Sequence, residues 1–209
     1  MSEGTAAQMA AYTEVLLKHT TVLDEPVTEI VIFKLKQPHT QETTHDFETR
    51  ILLNSAAGKG VLRTSWGYSL DDPSTLIWQI DWERIQDHWD FWQSERFTPV
   101  MQGISDLFVP GRPLVRHFRF APVGMLHDDF QLISVWDHGQ PGASEADVLA
   151  ELGHSSGSAK GAYAVDMQEE TWYCAAVGFA TEEEARASKV TGRGESHLVK
   201  FKVLAPGEN

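Results

Sequence analysis

The sequence has a single cysteine, no cluster of Lys and Arg, and no apolar run long enough to span a bilayer. Each absence excludes something. With Cys174 alone, no disulfide can form within the chain, and its place in the apolar run WYCAAVGF makes it a small core residue rather than a nucleophile. With 17 Lys and Arg against 30 Asp and Glu, a net charge of −13, the chain lacks the electrostatic footprint for a phosphate backbone, so no nucleic-acid partner is expected. The apolar runs fall far short of the roughly 20 residues of a membrane helix. The N-terminus begins polar and acidic where a secretory leader would be basic and then apolar. A cytoplasmic location with no membrane partner is the expectation. The strings HExxH, CxxC, GxxxxGK[ST] and GxGxxG are all missing, so metalloprotease, zinc-ribbon, P-loop and Rossmann readings lack their parts; no metal and no cofactor is expected.

What is present is a chain of 209 residues, 42% of them hydrophobic, which suffices for a substantial core. Its most informative stretch is WQIDWERIQDHWDFWQSERF, residues 78–97. Leu76, Trp78, Ile80 and Trp82 alternate as on a half-buried strand; from about Glu83 the period changes, and Ile85, Trp89 and Trp92 fall on one helical stripe. His88 lies on the edge of that stripe. Indoles make rigid cavity walls, and imidazole exchanges protons near neutral pH, so the stretch is a candidate pocket wall. The plainer reading is that the three indoles are ordinary core and His88 a boundary residue.

In chain order, residues 1–25 form an accessory helix or arm. A β-branched strand follows over 27–35, a helix capped by Thr43 or Thr44 and stopped by Gly58 and Gly60, a strand over 61–68, the strand and helix just described, and a strand from Leu114 to Phe120. The helix that carries His88 is expected to run past Pro99 to the break at Pro110-Gly111. The order strand, helix, strand, strand, helix, strand describes a split βαβ unit over residues 26–122. After a connector at 121–128 the order repeats over 129–206, with strands at 130–136, 172–179 and 197–204, a further strand at 162–167, and helices at 144–152 and 181–190. Thr181 and Glu184 make a capping box. PLVRHFRFAP at 113–122 overlays HLVKFKVLAP at 197–206, with Leu-Val and Ala-Pro in the same places. This overlay puts His117 over Phe201 and His88 over Ala185. Two such α+β repeats can pack their bare sheet faces together as an internal barrel, whose lumen would be a natural small-molecule pocket.

The residues Trp82 and His88, with the ending Trp92-Gln93-Ser94-Glu95-Arg96-Phe97, resemble the dimeric α+β barrel superfamily, in particular its antibiotic-biosynthesis-monooxygenase-like branch, here in a tandem-repeat form. The resemblance implies two ferredoxin-like βαββαβ repeats packed sheet to sheet. It also implies cofactor-free oxygenation of phenols, polyketide cyclisation, haem degradation, or small isomerisations and decarboxylations. Members that degrade haem carry an axial His about ten residues after the helix Trp, where this chain has Met101 and Gln102, and an Asn in the first strand, which is missing here. The Tyr and His pair of the plant cyclase branch is not reproduced either.

Without a cofactor, the chemistry left is proton transfer in an aromatic cavity. His88 and His117 are the candidate catalytic residues; Trp66, Tyr68, Trp78 and Trp92 are candidate walls, and Arg119 (or Arg116) a cation for an enolate. His127, His138, His154 and His197 read as surface. The substrate would be a polyketide-like or other hydrophobic metabolite. Three functions follow: a cyclase or isomerase acting through an enolate or phenolate, a cofactor-independent monooxygenase in the same pocket, or a non-catalytic barrel that binds a hydrophobic ligand. The expected assembly is a monomer with an internal pseudo-dimer, or a homodimer of it.

Overall fold

A computed structural model describes residues 24–110, 114–153, 158–165 and 169–204. The accessory segment expected over 1–25 falls outside it but for its last two residues, as do His154 and Met167. The first repeat runs from β1 (Val27–Lys34) through a helical stretch, α1 (residues 41–56), to β2 (Val61–Tyr68), β3 (Thr75–Trp82), α2 (Ile85–Trp92), α3 (Phe97–Leu107) and β4 (Leu114–Phe118). The second comprises β5 (Phe130–Asp137), α4 (Glu145–Glu151), β6 (Ala159–Tyr163), β7 (Trp172–Phe179), α5 (Glu182–Ala187), β8 (Glu195–Lys200) and β9 (Lys202–Leu204). The two sheets have the orders β4-β1-β3-β2-β9 and β6-β7-β5-β8, so each repeat places its strands in the same antiparallel 4-1-3-2 arrangement. The architecture is two ferredoxin-like repeats packed sheet to sheet. No helix among the described residues is long and apolar enough to cross a membrane.

Helix limits differ from the sequence expectation for local reasons. In α1 the cap is Thr40, not Thr43 or Thr44; Thr43 instead closes a reciprocal capping box with it. The stretch is α-helical over Gln41–Asp46, widens to a π-helix over Phe47–Leu52 and ends as α over Leu53–Ala56, and the wide turns bury Phe47, Ile51 and Leu52 together. The aromatic helix does not run on to residue 107. It begins at Ile85 after an extended Arg84 and breaks at 93–96, where Ser94 Oγ donates to the Phe91 carbonyl at 2.6 Å. The restart at Phe97 puts Pro99 in the first turn of α3, where a missing N–H breaks no helical hydrogen bond. Helix α5 ends at Ala187, short of residue 190, although Thr181 does accept from the Glu184 N–H as expected.

The lumen expected between the sheets is filled. Ile30, Ile32, Ile77, Phe118, Ile133 and Val199, with their neighbours from both sheets, form one contiguous apolar layer, and Cys174 is buried in it. Cross-links join the halves at both edges. The β9 strand pairs with β2 through Thr64↔Leu204, Ser65↔Val203 and Trp66↔Lys202, while Phe118 in β4 bridges to Ala164 beyond β6. Arg116 Nε reaches Glu169 Oε2 at 2.7 Å with its guanidinium over the Trp172 ring. The connector is held at the barrel end by the Met125 N–H, which donates to both oxygens of buried Asp81 at 3.0 and 3.1 Å. Burial raises the Asp81 carboxyl above its usual range.

Candidate active site

The opposite face of the first sheet, under the helices, holds the polar chemistry. Along β1, Val27, Val31 and Phe33 point to the helical layer with the large core cluster, and Glu29 is in phase with them. Its ladder partner in β4 is His117, which therefore shares that face. Helix α2 brings His88 down onto both. His88 Nδ1 lies 2.8 Å from His117 Nε2, His88 Nε2 lies 3.6 Å from Glu29 Oε2, and His117 Nε2 lies 3.9 Å from the same oxygen. All three side chains are buried: His117 is 0%, and His88 and Glu29 each 4% exposed.

Indoles fix the geometry. Trp82 Nε1 donates to Glu29 Oε2 at 2.8 Å, and the Trp82 ring stacks on His88 with centroids 4.8 Å apart. Half-buried Trp92 stands edge-on to His88, centroids 4.6 Å apart. Burial first, and the neighbouring His117 second, hold His88 well below the ordinary imidazole range, so its ring is neutral at pH 7. The boundary position read for His88 and the solvent-facing alternative for His117 are both overturned, because the helix stripe that packs on the sheet is wider than Ile85, Trp89 and Trp92 and takes in Asp87, His88 and Phe91.

The other candidate residues lie apart. Trp66 and Trp78 pack against Phe47 at centroid distances of 5.1 and 5.8 Å, with the Trp78 indole donating to Thr64 Oγ1 at 2.6 Å. Tyr68 stacks on His39 at the far end of β2. Trp66 and Trp78 are packed core, not cavity wall, and Tyr68 is half-buried at the margin of that core. Arg119 is 55% exposed at its side chain and pairs with Glu25; Arg116 faces the second repeat. Neither cation stands at the imidazole pair. His127 is exposed beside Arg63, whereas His197 is nearly buried in β8 and His138 helps line a cleft, so neither of these two is plain surface. The cleft, about 460 Å³, lies on the second repeat between Trp136, His138, Glu151 and Arg193.

Sequence reasoning missed Glu29. The signal was its phase: an acid at a core-facing position of a strand otherwise apolar on that side.

The second repeat shows what the fold alone requires at these places. Val27 pairs with Trp82 at one end of the β1–β3 ladder, as Phe130 pairs with Phe179 in β5–β7. Counting from those ends, Glu29 corresponds to Leu132, Trp82 to Phe179 and, through the closing strands, His117 to Leu198. The ten-residue overlay that placed His117 over Phe201 is thus corrected by three residues, while His88 over Ala185 fits the helix starts at Ile85 and Glu182. Leu132, Phe179, Ala185 and Leu198 form one apolar cluster. The polar trio belongs to the first repeat alone.

No protein-family model and no curated protein matches the sequence. Solved structures do match over nearly the whole chain. An anthrone oxidase-like protein superposes with a TM-score of 0.60 at 13% identity, covering 88% of this chain and 95% of its own. The fold is the dimeric α+β barrel. A candidate monooxygenase of Fusobacterium nucleatum superposes at 0.57 with 10% identity, covering 88% of this chain and 95% of its own. Another, from Lactobacillus acidophilus, does so at 0.56 with 9% identity, covering 88% and 97%. At such identities the likeness is one of fold.

Proposed function

We propose that this dimeric α+β barrel is an enzyme that takes a proton from a hydrophobic, weakly acidic small molecule, a phenol or a carbon between two carbonyls, and lets the resulting anion react with dioxygen. The observation that carries the reading is the 2.8 Å contact between two buried imidazoles beside a carboxylate. With Glu29 ionised, the favoured tautomer of His88 keeps its proton on Nε2, facing the carboxylate. Its Nδ1 then accepts from His117 Nε2–H, so the two rings and the carboxylate form one hydrogen-bonded relay. A proton taken up by the imidazole pair is shared between the two rings and stabilised by Glu29, the logic of a carboxylate–imidazole relay with one more ring. Trp92, the partly exposed ring over His88, is the side chain that would yield to a substrate. Support for the oxygen branch comes from the fold relatives described as monooxygenases and as anthrone oxidase-like.

The test is turnover of a panel of polycyclic phenols and 1,3-dicarbonyls in air and under anaerobic conditions. Oxygen uptake matched to product is expected, as is a loss of about 100-fold or more for His88→Ala and for His117→Ala. Product formed equally well without oxygen would replace oxygenation by cyclisation or isomerisation of the same anion. Tight binding of such compounds, without turnover and unaffected by either substitution, would sink the enzyme reading in favour of a ligand-binding barrel.

A further inference from the structure

We propose that Glu29, His88 and His117 form a binding site for a divalent first-row transition-metal ion. One donor atom from each lies within 4.8 Å of the others, and the three residues come from β1, α2 and β4, all buried. His117 Nε2 lies 2.8 Å from His88 Nδ1 and 3.9 Å from Glu29 Oε2, on either side of the spacing of neighbouring donors around an ion bound at about 2.1 Å, which is about 3.0 Å in octahedral and about 3.4 Å in tetrahedral geometry. Two imidazoles and one carboxylate are the donors that Zn(II), Co(II) and Fe(II) accept; Mg(II) and Ca(II) prefer all-oxygen sites. The carboxylate is oriented from outside by the Trp82 indole, the kind of outer hydrogen bond that metal ligands need. The apolar equivalents Leu132, Ala185 and Leu198 show that the fold itself has no use for the trio.

The inference goes beyond the acid–base reading. Both use the same three side chains, but an ion bound between the rings displaces the proton they share and so cuts the relay to Glu29. Loading the site therefore extinguishes imidazole catalysis.

Full-length protein stripped with a chelator is titrated with Co(II) and Zn(II), following heat, proton release and the visible absorption of Co(II). Expected are one ion per chain, release of protons, roughly tenfold weaker binding in Trp82→Phe, and loss of the site in Glu29→Gln. A second variant guards against misfolding: E29L/W82F/H88L/H117L, close to the residues with which the second repeat already folds, checked by circular dichroism. His127→Ala, at an exposed imidazole, keeps full binding. Absence of binding, or binding indifferent to the trio variants, overturns the metal site. Turnover is read separately. If stripped protein is active and Zn(II) suppresses it, both proposals stand; if activity needs the ion, the site stands and the acid–base reading falls; if stripped protein is active and nothing binds, the reverse holds.

Discussion

A neutral imidazole sealed from water is a liability in acid, and His88 carries that liability openly. The groups that face it are Glu29, Trp82, Trp92 and His117. Its folded pKa is depressed, so between that value and the unfolded value near 6.5 the unfolded chain binds the extra proton; stability rises with pH across this window and is lost as pH falls below about 6.5. The melting temperature of the native chain should therefore drop between pH 7 and 5 more steeply than that of His88→Leu. Parallel curves would show that His88 is not held neutral. At the same scale, Trp92→Ala opens the half-buried side of the ring. Its expected signature is a KM that changes several-fold with little change in kcat, read from steady-state kinetics; a collapse of kcat alone would place Trp92 in the chemistry instead. His88 and His117 could be singled out from sequence because few other groups transfer protons at pH 7. Glu29 was hidden among β-branched neighbours, and no spacing motif links residues 29, 88 and 117, because a sheet ladder and a packed helix, not chain proximity, bring them together.

Elements were the most legible level. The alternation over 76–82 and the change of period after it mark β3 and the start of α2, but β3, read as half-buried, is buried at all 8 residues because the second sheet covers its other face. The break at 93–96 was not legible: the stripe continues through Val100 and Ile104, and only the Ser94 side-chain bond and the tolerance of a first turn for Pro99 show where the axis restarts. The ladders also make a prediction about cost. Glu29, His88 and His117 are buried polar groups where Leu132, Ala185 and Leu198 suffice, and apolar replacement of a buried polar cluster is commonly neutral or stabilising by about 1–4 kcal/mol. The variant E29L/W82F/H88L/H117L removes the carboxylate acceptor and the indole donor together, so the Trp82 N–H is not left without its acceptor. Chemical denaturation should show it at least as stable as the native chain. A loss of several kcal/mol would mean that the trio is structural, and would weaken both functional proposals.

For the molecule as a whole, the order of elements was enough to anticipate two repeats packed sheet to sheet, although the closing-strand overlay was three residues out of register and did not tell which side of the first sheet holds the polar trio. Ile30, Ile32, Phe118 and Val199 fill the centre of the interior, and buried Gln79 donates to Gln131 Oε1 across it at 3.2 Å. The seam between halves depends on a close approach at Gly67, where any Cβ would collide with the Lys200 carbonyl. Gly67→Ala should cost about 1–3 kcal/mol in equilibrium unfolding, by forcing the β8–β9 corner off β2. An unchanged midpoint would mean that the seam contributes nothing.

Joining both repeats in one polypeptide has a symmetry consequence. A barrel assembled from two identical subunits must carry every substitution twice, once on each side of its axis. Here Glu29 can be an acid while Leu132 stays a leucine, so the polar trio stands on one side of the pseudo-axis and its counterpart keeps an aliphatic filling.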